Sequence, residues 1–249
     1  MTNDAHYIAG IHNYCDRWCE RCAFTSRCRA YAIEQSEFGN PEARDLNNQA
    51  FWDKLHGIFR SALGQLREKA DPLDIDVDDV TEEDIQDNQP HQQDLEQYPC
   101  IRDAQHYMNH VRQWFQSHET LLAEKGHQLT ETAALDLPDH AFEEEFMEIK
   151  DLIEVIQWYH GFIAVKIRRA LSDLNLTDVD EDLNDAHGSA KVALIAMDRS
   201  IAAWTRLCDH LPDQEDSIID RLLELDRLRK QLEHLLPKAR VFIRPGLDE

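Results

Sequence analysis

Residues 141–171 read AFEEEFMEIKDLIEVIQWYHGFIAVKIRRAL, and this stretch decides the fold class. Phe146, Ile149, Ile153, Ile156, Ile163 and Ile167 recur at intervals of three, four or seven. That is the period of a helix with one apolar face, whereas a strand alternates with period two. The same signature returns in both directions. Phe51, Leu55, Ile58, Ala62 and Leu66 mark a helix over 48–69, and Ala104, Val111, Phe115 and Leu122 mark one over 99–125. Ala186, Ala190, Ala193, Met197 and Trp204 lie on one face of 184–211. Leu222, Leu225, Leu228, Leu232 and Leu235 belong to a helix over 213–236, which Pro237 stops. The expectation is an all-α protein. A bundle of four to five long helices spans 48–236, a Cys-rich helical metal-binding segment spans 1–36, and an extended tail spans 237–249. Trp18, Trp52, Trp114, Trp158 and Trp204 fall on five different predicted helices, which suits one shared core.

Composition agrees. Among 249 residues only 8 are Gly and 8 are Pro, too few for the turns of an all-β fold or for a collagen-like or low-complexity chain. Asp and Glu number 49 against 26 Lys and Arg, a net charge of −23. Such a surface opposes nucleic-acid phosphates and anionic lipid, because binding either depends on Lys and Arg. A basic protein, a redox partner or a small molecule is the expected partner. No apolar run reaches membrane-spanning length and no signal peptide opens the chain, so a cytoplasmic setting is expected. Residues 71–99 hold eleven acids and no Lys or Arg, the composition of a solvated insert. Asp74, Asp76 and Asp78 have the spacing of a calcium loop, but Asp79 and Ile85 stand where that loop needs Gly and Glu. A second acidic stretch, 178–185, precedes the helix at 184–211.

Cysteine carries the sharpest chemical signal. Four of six fall within fourteen residues, as Cys15-x3-Cys19-x2-Cys22-x5-Cys28, while Cys100 and Cys208 stand apart. In a reducing compartment such a cluster points to a metal before disulfides. A helix over 4–21 would put Cys15, Cys19 and Cys22 on one face, with Cys28 folding back as fourth ligand. Arg17, Arg21, Arg27 and Arg29 would offset the charge of a four-thiolate centre. Four thiolates suit a [4Fe–4S] cluster or zinc. Structural zinc sites usually pair two short knuckles across a long loop, and the contiguous run here favours the cluster.

Two resemblances attach to these residues. The stretch Cys19-Glu20-Arg21-Cys22-Ala23-Phe24-Thr25-Ser26-Arg27-Cys28 resembles, over ten residues, the C-x2-C-x5-C ending of the [4Fe–4S] loop in endonuclease III-type glycosylases. Cys15, Cys19 and Cys22 also match the C-x3-C-x2-C of radical-SAM enzymes. The first interval, x3, departs from the glycosylase loop. The helical pattern and a fourth Cys depart from the radical-SAM barrel.

A second site is sought among the helices. His160 sits on the apolar face of 141–171 with Glu154 and Glu145 nearby in sequence, which makes His160 and Glu154 candidates for proton transfer. Asp53-x-x-His56, Asp103-x-x-His106 with His110 a turn later, and Asp185-x-His187 are acid–His pairs. Di-iron bundles use inward carboxylates and Glu-x-x-His, so His56, His106, His110, Glu145, His160 and His187 are the candidate ligands of a ferritin-like site. Their phase relative to the apolar stripes is poor, and ordinary acid–His pairs are the plainer reading. His6, His91, His127, His140, His210 and His234 read as solvated. Asp198, if buried, takes Lys191 as its partner. No Gly-rich phosphate loop, nucleophile elbow or Cys–His protease signature is present. Three functions stay open: a redox protein carrying a [4Fe–4S] centre, a zinc-stapled interaction module, and a di-metal oxidoreductase.

Overall fold

A computed structural model describes residues 6–40, 45, 47–70, 72, 95–133, 141–174 and 186–248. Among these the fold is all-helical, with no strand. The helices are α1 (Arg29–Phe38), α2 (Gln49–Ala70), α3 (Pro99–Ser117), α4 (Glu119–Ala133), α5 (Ala141–Leu174), α6 (Ala186–His210) and α7 (Glu215–Leu235). No helix among the described residues is long and apolar enough to cross a membrane. The calcium-loop spacing at 74–79 and the acidic stretch 178–185 lie outside the described residues, as does most of 71–99.

The chain divides into two compact units, one made of 1–91 with 244–249 and the other of 92–243. Helix α2, expected in the bundle, therefore groups with the cysteine-bearing segment. So do the last residues of the expected tail.

In the second unit α5 makes its most extensive contact with α6, while α3 packs on α5 and α7, and α7 packs on α6. The expected stripe carries this core: Ile156, Ile163 and Ile167 are fully buried. Ala186, Ala190 and Ala193 are also fully buried on α6. Their small side chains let neighbouring backbones approach closely. Met197 and Trp204 continue the same face. The Trp204 indole N–H donates to the Tyr107 hydroxyl at 3.2 Å, which satisfies a buried donor.

Three expectations are corrected here. The helix over 99–125 breaks at His118, whose φ of −111° and ψ of 12° are not helical. Its ring stacks on Trp114 with centroids 4.4 Å apart, and its Nε2 lies 2.6 Å from Gln214 Oε1. A tertiary anchor thus turns the chain into α4. Asp198 does not take Lys191. It pairs with Arg240 and Arg229, while Lys191 donates to the carbonyls of Arg240 and Phe242 at 3.1 and 2.7 Å. The tail is not extended throughout, because Ala239–Val241 forms a 3-10 turn around the buried Ala239.

The tryptophans do not share one core. Trp114 and Trp204 are buried in the second unit, whereas Trp52 on α2 is exposed with Phe59, Leu63 and Leu66, and Trp18 lies in a turn.

Candidate functional site

Residues 6–28 do not form the helix expected over 4–21. Gly10 and Arg17 have φ of +71° and +59°, left-handed values that end any right-handed run. Turns replace it, with short 3-10 pieces at Cys19–Arg21 and Thr25–Arg27. Asp16 Oδ1 accepts from the Trp18 amide at 3.2 Å and holds the bend after Arg17. The Ile8 amide donates to the Arg27 carbonyl at 3.0 Å, fastening the start of the segment to its end. The cysteines are thus drawn together by loop closure, not by a shared helical face.

All four, Cys15, Cys19, Cys22 and Cys28, line one small pocket with a free volume of about 30 Å³. Its walls are mostly apolar and include Ile11, Trp18, Phe24, Tyr31 and Leu247. The four side chains are half-buried free thiols. The Phe24 amide donates to Cys22 Sγ at 3.4 Å, and the Cys15 thiol lies 3.5 Å from the His12 carbonyl. Arg21 lies over the Trp18 ring at 3.9 Å. Burial pushes the Cys19 thiol up, and the charges of Glu34 and of the other three cysteines add to that. Such mutual repulsion is what a bound cation reverses.

Of the second-site candidates, His106 and His110 lie a helical turn apart, with ring centroids 6.3 Å from one another. His56 is exposed on α2, in the first unit. His106 is exposed and His110 lies 2.7 Å from Glu224. Glu145 pairs with Lys125 at 2.9 Å, a bond that holds its carboxyl below the usual range. His160 Nδ1 faces its own helix, 2.6 Å from the Gln157 carbonyl, and burial lowers its pKa. Glu154 is exposed, and His187 is half-buried at the start of α6. As the side chains stand, no group of three or more His, Cys, Asp or Glu among the described residues is arranged to hold a metal ion.

One histidine read as solvated proves otherwise. His210 is largely buried between Glu145, 3.5 Å from its Nδ1, and Glu148, 3.2 Å from its Nε2. Arg206 binds Glu148 from the other side at 2.6 Å. A cleft of about 320 Å³ opens beside this group, lined by Lys125, Gln128, His210, Asp213 and Gln214. Nothing local in the sequence signals it, because the partners stand more than sixty positions apart.

Compared with protein-family models, with curated proteins and with solved structures, the chain matches none.

Proposed function

We propose that the protein is a redox metalloprotein whose Cys15, Cys19, Cys22 and Cys28 hold a [4Fe–4S] centre and whose helices α3 to α7 form a helical bundle. The observation that carries the reading is the single pocket lined by all four thiols, walled by apolar side chains. Holding a cluster requires the four thiols to converge and the pocket to widen beyond its present volume. An apolar wall lowers the local dielectric, and an amide donating to sulfur, as Phe24 does to Cys22, is one of the contacts that sets a cluster's potential. Arg17, Arg21, Arg27 and Arg29, all exposed around the segment, offset the thiolate charge. The role is one-electron transfer with a redox partner, or sensing of an oxidant, in a reducing cytoplasm. The acidic surface favours a partner with a basic face.

Zinc is the second reading, and the pocket's volume favours it. About 30 Å³ holds one or two water-sized spheres, closer to a single ion than to a cubane cluster. Zinc would staple the turns of 6–28 and leave an interaction module without redox chemistry. The di-metal oxidoreductase is not proposed, because no three of its candidate ligands among the described residues form a group that could hold a metal ion.

Anaerobic purification of the full chain decides. Iron and sulfide near four each per chain, with a brown colour, support the cluster, and one zinc in colourless protein supports the staple. Protein carrying neither metal, and taking up neither when supplied with ferrous iron and sulfide or with zinc, overturns both.

A further inference from the structure

The cysteine pocket has a wall from far along the chain. Leu247 lines it beside the four cysteines, and residues 244–249 belong to the same compact unit. Local contacts shape the turn that carries Leu247. The Leu247 and Asp248 amides donate to the Arg244 carbonyl at 3.1 and 3.2 Å, closing a turn. The Arg244 guanidinium grips the Asp248 carboxylate, with Nη2 to Oδ1 at 2.7 Å and Nε to Oδ1 at 3.1 Å. The two side chains are 15% and 18% exposed, although Asp248 as a residue stands at the surface, so solvent still reaches the pair.

Gly246 seats the turn. Its φ of +68° is a left-handed value that suits glycine, and a Cβ there would collide with Ile8 Cγ2. Ile8 is in turn fastened through its amide to the Arg27 carbonyl, next to Cys28. A continuous path of contacts therefore runs from the Arg244–Asp248 clip through Gly246 and Ile8 to the last cysteine.

We propose that Arg244–Asp248 is a strap that closes the cysteine pocket and governs how readily its thiols, and a metal held by them, meet solvent and oxidants. The part concerning metal rests on the function proposed above; the part concerning thiol access does not. Leu247 is the cover, Gly246 permits its close seat, and the Arg244–Asp248 pair is the clip. None of the three ligates.

The test compares the full chain with Leu247→Ala and Asp248→Asn. Metal-stripped, reduced protein is treated with N-ethylmaleimide, and each cysteine is followed by peptide mass. Cys100, almost fully buried in the second unit, is the internal control for unfolding. Leu247→Ala raises the modification rate of Cys15, Cys19, Cys22 and Cys28 about tenfold and Asp248→Asn does so less, because thiol reactivity follows access. Cys100 stays unmodified in both. In protein that holds metal, the same variants keep full metal under argon and lose it several-fold faster in air. Equal maleimide rates in parent and both variants overturn the strap, as does acceleration that extends to Cys100. Faster labelling of the four thiols in a protein that binds no metal upholds the strap and defeats the metal reading.

Discussion

Trp114 on α3 and Trp204 on α6 meet edge to face, their ring centroids 4.9 Å apart and their planes at 87°. This pair ties two helices that are ninety positions apart in sequence, and its polar edges are satisfied. The Trp114 indole donates to Ser217 Oγ at 2.9 Å and the Trp204 indole to Tyr107. Edge-to-face rings add attraction beyond the area they bury.

Replacing Trp204 by Ala therefore costs the second unit about 3–5 kcal/mol, the range for a large buried aromatic. Tyr107→Phe keeps the volume but strands the Trp204 N–H, at about 1–3 kcal/mol. Urea unfolding followed by far-ultraviolet circular dichroism measures both. A Tyr107→Phe midpoint equal to the parent's would show that the bond contributes nothing net.

Serine in place of any one of Cys15, Cys19, Cys22 or Cys28 is expected to lower metal per chain to a small fraction of the parent's, since four ligands close the proposed centre. Cys208→Ser should leave it unchanged. Elemental analysis reads the difference. Full metal content in any of the four single variants would remove that residue from the ligand set.

Stability falls with acid in two separate windows. Burial holds His160 below the usual 6.5, helped by the nearby Arg112 charge and opposed by its bond to the Gln157 carbonyl. The unfolded chain keeps the usual value, so between the two pKa values it binds more protons and stability rises with pH. The loss thus sets in as pH falls through 6.5 and is complete below the folded value. His160→Gln flattens the profile as pH falls through 6.5. Glu145 acts lower. The Lys125 hydrogen bond holds its carboxyl below 4.5, so its contribution is complete above 4.5 and lost as pH falls through the folded pKa. Lys125→Met makes that second slope shallower, the rest being carried by the His210 contact to Glu145 and by Glu148 and Asp226, whose carboxyls are also held low. Denaturant midpoints against pH test both, and an unchanged slope in either variant rejects the assignment.

Lys191→Met removes the two bonds that hold the carbonyls of Arg240 and Phe242. About 1–3 kcal/mol of local stability is lost with them. Amide exchange over 239–242 should quicken at least tenfold while the middle of α7 keeps its protection. Uniform exchange in parent and variant would place the anchor elsewhere, in the pair Arg240 makes with Asp198 and Glu233.

What was legible in the amino-acid order was what local repetition encodes. The stripe through Ile156, Ile163 and Ile167 announces α5 without tertiary help, and the cysteine intervals single out the four residues that line one pocket. The backbone that gathers those cysteines was not legible. A left-handed Arg17 is a non-glycine exception that composition does not reveal. His118 looks like one more helical residue until Trp114 and Gln214 take hold of its ring. His210 and Leu247 escape for a plainer reason, since their partners stand some sixty-five and two hundred and twenty positions away. Pattern reading sees neighbours in sequence; these two residues get their meaning from neighbours in space.

Leu247 has a further consequence for biogenesis. A ribosome adding roughly 5–20 residues per second needs on the order of 10–45 s to travel from Cys28 to Leu247. For most of that interval the nascent thiols are outside the exit tunnel while Leu247 is still untranslated. Loading by a delivery factor would have its widest opening then, before Leu247 arrives to shut the door.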